Sequence, residues 1–160
     1  MTDCLGLNKF RTKRPTWDEY FIEIAQVISK RSTCLRRSYG AVIVKDKVIV
    51  STGFNGSARG EINCVDAAKC VREELKIPKG ERYELCAAVH AEQNAIINGD
   101  PVKMKGGTIY IAGFNSDGTA ASGEPCLICQ RMIKNAMLSR VVYLECNGSI
   151  KEVNLEKKNV

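Results

Sequence analysis

The sequence predicts a three-layer α/β/α sandwich, a mixed sheet of about five strands with helices on both faces. Three observations predict it. Short runs rich in valine and isoleucine, such as Gly40-Ala41-Val42-Ile43-Val44 and Arg140-Val141-Val142-Tyr143-Leu144, read as strands buried on both sides. They alternate with stretches of helical period, in the order helix, hairpin, helix, strand, helix, strand. Strands joined through helices call for right-handed crossovers, which place helices over the sheet.

The elements follow in order. Met1 to Arg14 is polar and basic and reads as a flexible lead-in, before a domain over 15–146 and a charged tail over 147–160. Thr16 and Glu19 have capping-box spacing, and Trp17, Tyr20, Phe21, Ile24, Ala25 and Ile28 recur at helical spacing, so an amphipathic helix with its aromatics in the core is expected to about Arg31. Gly40–Val44 and Val48–Gly53 flank the turn Lys45-Asp46-Lys47 as a hairpin. Asn63–Leu75 reads as a short helix, and a longer one is expected from about Glu84 to Asn98, ended by Gly99-Asp100-Pro101. Thr108–Ala112 is a third strand, Gly113–Glu124 a long loop of small residues, Pro125–Ala136 a helix and Arg140–Leu144 a fourth strand. A weak alternation at Ile150–Val153 suggests an edge strand.

A length of 160 residues with 44% hydrophobic content suits one domain with a sizeable core. No apolar run is long enough to span a bilayer, and no signal-peptide pattern opens the chain, so a cytoplasmic protein without membrane contact is expected. In that reducing setting the eight cysteines read as metal ligands or buried thiols rather than disulfides. The net charge of +6 suits an anionic substrate, but the basic residues are spread out, with Lys157-Lys158 in the tail, and no stripe for nucleic acid emerges.

Two segments carry the chemistry. Val89-His90-Ala91-Glu92 holds the only histidine, with a carboxylate two residues on, and Pro125-Cys126-Leu127-Ile128-Cys129 is a C-x-x-C headed by proline. His90, Cys126 and Cys129 form the three-ligand set of a catalytic zinc, whose fourth position takes a water. Residues i and i+2 point about 200° apart on a helix, so His90 and Glu92 meet at one centre only if it lies beyond a helix's first turn. Cys126 and Cys129 lie one turn apart at a helix start, where the dipole favours thiolate. Glu92 is then free to carry protons. Asn55, where a strand hands over to the loop Phe54–Gly60, is placed for ligand contact.

H-x-E followed by P-C-x-x-C is the signature of zinc-dependent nucleobase deaminases. From about Pro15 to Glu145 the chain resembles the cytidine deaminase superfamily and, through Arg14-Pro15-Thr16-Trp17-Asp18-Glu19-Tyr20-Phe21 and Gly53-Phe54-Asn55-Gly56, its deoxycytidylate (dCMP) deaminase branch. The resemblance implies a cytidine deaminase-like fold and hydrolysis of dCMP to dUMP and ammonia. It implies zinc on His90, Cys126 and Cys129, with Glu92 protonating N3 and then carrying a proton to the departing ammonia. It assigns Asn55 to the sugar hydroxyl, the backbone around Ala91 to the pyrimidine edge, and Arg36, with Arg37 in reserve, to the phosphate. It further implies a second, structural zinc on Cys34, Cys64, Cys70 and Cys86, deoxynucleoside triphosphate effectors and a homo-oligomer, a hexamer or smaller.

Two features depart from that branch: the Gly113–Glu124 loop, expected at the pocket rim, and Glu145-Cys146-Asn147-Gly148 where an aromatic is usual. Both bear on substrate choice. The rival readings are a deaminase of another nucleoside, nucleotide or transfer RNA base, and a non-catalytic zinc module, against which Glu92 speaks.

Overall fold

The computed structural model describes residues 13–78 and 80–155. The lead-in up to residue 12, the Lys157-Lys158 pair and Cys4 lie outside the described residues. Thr16 caps α1 (Trp17–Ser29) reciprocally, its Oγ1 accepting from Glu19 N at 3.2 Å while its own N donates to Glu19 Oε2 at 2.7 Å. Phe21, Ile22 and Ala25 are buried on one face, and Phe21 alone contributes about 2–3 kcal/mol by leaving water. Trp17 and Tyr20, expected in the core, are 46% and 42% exposed instead: they flank Phe21 at the helix's solvent edge, where Lys47 sits 5.2 Å over the Trp17 ring.

β1 (Arg37–Lys45) and β2 (Val48–Phe54) form the expected hairpin, and β1 also pairs antiparallel with β5 (Thr108–Asn115). β5 runs parallel to β7 (Arg140–Leu144), joined through α6 (Leu127–Asn135), and β8 (Ile150–Asn154) closes the far edge. The order is β2-β1-β5-β7-β8. The sheet is thus mixed, as the pattern predicted, and the residues Gly40–Val44 are buried without alternation because helices cover both faces. One face packs on α1 through Val42, Val44, Tyr110, Ala112, Val142 and Leu144. The other packs Ala41, Ile43, Ile109, Ile111, Val141 and Tyr143 against α4 (Ala91–Asn98), the short α5 (Pro101–Met104) and α6.

Three further expectations are corrected. The helix expected from Glu84 is α4 alone, starting at Ala91; ahead of it lie one 3₁₀ turn (Tyr83–Leu85) and β4 (Ala88–Val89), which pairs with β3 (Gly56–Ser57). A helix through His90 would have turned Glu92 away from it. The Asn63–Leu75 helix is two single turns, α2 (Cys64–Ala67) and α3 (Val71–Glu74), broken where Ala68 adopts a left-handed conformation (φ 49°). The Gly113–Glu124 loop is largely a hairpin: β5 runs on to Asn115 and β6 (Ala120–Ala121) returns beside it, with the turn held by Thr119 N and Oγ1 donating to Asp117 Oδ1 at 2.9 and 2.6 Å. Small side chains at 113, 120 and 121 allow a tight ribbon as readily as a loop.

Candidate active site

α4 and α6 both begin on the same face of the sheet. His90 is the N-cap of α4 and Cys126 the N-cap of α6, so both ligands sit where backbone amides are still unpaired. Gln93 reaches back so that its Oε1 accepts from His90 N at 2.9 Å, and its Nε2 lies 3.4 Å from Met132 Sδ of α6. His90 Nδ1 stands 3.6 Å from Cys126 Sγ and 3.4 Å from Cys129 Sγ. A tetrahedral zinc with ordinary Zn–N and Zn–S bonds sets such atoms about 3.6 Å apart. Among the described residues this is the one set of three His, Cys, Asp or Glu side chains whose ligand atoms lie within 4.8 Å of one another. The donor set fits zinc.

The charges point the same way. Hydrogen bonding with Cys129 holds the Cys126 thiol far below its ordinary value, and the same bond, with burial, pushes Cys129 up. The two sulfurs lie within 4.8 Å of each other, and a dication bound there would displace their thiol protons. His90 is raised chiefly by its hydrogen bond to Cys126, with burial opposing. Glu92 is 7% exposed, and burial raises its carboxyl above the ordinary range, the direction a proton carrier needs near neutral pH.

Around this centre, Asn55 is buried and braces β1: its Oδ1 accepts from Tyr39 N at 2.8 Å and its Nδ2 donates to Arg37 O at 2.9 Å. Asn94 of α4 donates to Phe54 O at 2.8 Å, tying the helix to the same corner. Ala91 is fully buried as the first residue of α4. Arg36 turns away, its Nε 3.6 Å from Glu73 Oε1 of α3. Arg37 shares strand parity with Tyr39, Ala41 and Ile43, which face α4. Of the cysteines expected at a second site, Cys34, Cys64, Cys70 and Cys86, no three bring their sulfurs within 4.8 Å of one another; burial, and then the charges of the other three, raise Cys64. All seven described cysteines are free thiols.

Motif spacing did not reveal Tyr39, whose hydroxyl donates to Ser122 O at 3.2 Å ahead of the Pro125 turn, or Tyr83, whose ring meets His90 edge-on with centroids 5.4 Å apart. Both arrive through strand pairing or an irregular excursion, for which local sequence has no period.

Residues 15–145 match the family model described as the cytidine and deoxycytidylate deaminase zinc-binding region. The chain belongs to this family. It is 37% identical over 134 residues to the deoxycytidylate deaminase of Mycobacterium phage D29, covering 81% of this chain and 95% of that one. It is 33% identical over 141 residues to the deoxycytidylate deaminase of Schizosaccharomyces pombe, covering 88% of this chain but only 40% of the yeast protein's length. The crystal structure of the cyanophage S-TIM5 dCMP deaminase in complex with dCMP and dUMP superposes with a TM-score of 0.60 at 25% identity, over 83% of this chain and 84% of that one. The family's zinc-binding region thus contains the His90, Cys126 and Cys129 cluster. Among the described residues no helix is long and apolar enough to cross a membrane.

Proposed function

We propose that this chain hydrolyses dCMP to dUMP and ammonia, with His90, Cys126 and Cys129 holding zinc and Glu92 moving the protons. The observation that carries this reading is the ligand triangle, 3.4 and 3.6 Å from His90 Nδ1 to the two sulfurs, with the buried Glu92 carboxyl two residues from His90. Bound zinc supplies a Lewis acid and an activated water near neutral pH. The chain's own part is proton transfer and positioning. Glu92 takes a proton from the attacking water, delivers it to ring N3 and then assists the amino group's departure, as the C4–O bond forms and the C4–N bond breaks. The Ala91 backbone at the start of α4 reads the pyrimidine edge. Asn55 keeps one lone pair and one N–H beyond its two backbone bonds for a sugar hydroxyl. Strand parity favours Arg37 over Arg36 for the phosphate. The phage complex with dCMP and dUMP and the relatives named deoxycytidylate deaminase support the choice of substrate.

A second, structural zinc on Cys34, Cys64, Cys70 and Cys86 rests on these thiols lying near enough for their charges to raise Cys64, and is tested by a metal content of two per chain. Exposed Ile97, Val102, Leu127 and Met137 on or beside α4, α5 and α6 support a homo-oligomer, tested by light scattering. Free thiols fit a cytoplasmic setting, and dCTP and dTTP are the effectors to add to the assay. The deciding experiment offers zinc-loaded protein dCMP, dCTP, deoxycytidine and cytosine and measures ammonia. Turnover of dCMP above the others is expected; preference for another compound retains the zinc site and overturns the substrate.

A further inference from the structure

Arg72 of α3 is 6% exposed, and among the described residues no carboxylate pairs with it. Its charge is met by backbone carbonyls: Nη1 donates to Glu81 O at 2.6 Å and Arg82 O at 3.0 Å, and Nη2 donates to Pro78 O at 2.8 Å. A buried cation kept without a counter-ion has an organising task, because its desolvation is costly and a neutral side chain would fill the space more cheaply. What it organises is visible. The clasped carbonyls lead into Tyr83, whose ring lies under the guanidinium with Cζ 4.9 Å from its centroid. The same ring meets His90 at 80°. Arg82, between the clasp and Tyr83, is held in a left-handed conformation (φ 47°) that a free chain would relax.

We propose that Arg72 and Tyr83 act as one positioning unit for His90: the guanidinium holds the Pro78, Glu81 and Arg82 carbonyls, these seat the Tyr83 ring, and the ring holds the imidazole plane so that Nδ1 faces both sulfurs. This rests on His90 being a metal ligand. Groups that orient a ligating histidine typically change metal affinity by about 10–100-fold when removed.

The test is cobalt or zinc release into excess chelator, with the cobalt absorption spectrum as a second readout, on wild type, Tyr83→Phe, Tyr83→Leu, Arg72→Met and the Tyr83→Leu/Arg72→Met double variant, each checked for fold by circular dichroism. Tyr83→Phe keeps the ring and should release metal at the wild-type rate. Tyr83→Leu and Arg72→Met should each release it about tenfold faster, with the same altered cobalt spectrum, and the double variant no faster than either alone. Wild-type release from folded Tyr83→Leu, or release in the double variant equal to the product of the single effects, overturns the proposal. If Arg72→Met does not fold, Tyr83→Leu against Tyr83→Phe still decides whether the ring holds the ligand. A wild type that binds no metal instead overturns the reading of His90 as a ligand.

Discussion

The two faces of the sheet are built from the same kind of strand residue, yet they finish their helices differently. On one face α1 starts with the Thr16–Glu19 box, so its first amides are satisfied by the residues best suited to the task. On the other face α4 and α6 start with His90 and Cys126, residue types that seldom cap helices: Gln93 closes back on the His90 amide, and Cys126 makes no side-chain cap. Those N-cap positions carry donors that fit zinc, and Glu92 is buried beside them with its carboxyl pushed up. The first face is consistent throughout. The second departs from local rules where chemistry is required, and packing on Ala41, Ile43 and Ile111 offsets the loss.

The sharpest test of that contrast is Glu92→Gln, which should lower dCMP turnover roughly 10²–10⁴-fold with zinc content unchanged; loss of zinc instead would make Glu92 a ligand or a fold element. Next is the same substitution on each face. A Cβ at Gly40 would lie 2.1 Å from Ala25 O of α1, and one at Gly53 would lie 2.4 Å from Ala91 O of α4. Gly40→Ala and Gly53→Ala should each cost about 1–3 kcal/mol in chemical denaturation, but only Gly53→Ala should also lower kcat, since it shifts α4. Equal kcat for both would dissolve the distinction.

Smaller effects belong to the α1 face. Thr16→Ala should cost about 1 kcal/mol of stability and leave kcat and zinc content unchanged. Asp18 sits under Arg140, whose Nη1 and Nη2 donate to it at 2.9 and 2.7 Å, and the hydrogen bond to Arg140 lowers its carboxyl below the ordinary 3.8. A lowered carboxyl means the unfolded state binds more protons, so this stabilisation is present above about pH 4 and is lost as pH falls through the folded value. Asp18→Asn should therefore cost on the order of 1 kcal/mol at pH 7, kept small by solvent screening, and progressively less as the medium is made more acidic than the ordinary carboxyl value. A pH-independent deficit would show that packing rather than charge is lost.

Much of this was legible because it is local. The capping box, the buried runs at 40–44 and 140–144 and the H-x-E and P-C-x-x-C spacings depend on residues a few positions apart, where helical and strand periods act directly. They determined the mixed sandwich, the start of α1 and which histidine and cysteines would cluster. What only the tertiary structure decided lies between elements remote in sequence. It set His90 against sulfurs that are 36 and 39 residues away, turned the Gly113–Glu124 segment into a ribbon on β5, exposed Trp17, and brought Arg72 and Tyr83 to the imidazole. The physical reason is that such contacts come from burying whole faces together. A side chain's local period says which way it points, but not what the rest of the chain brings to meet it.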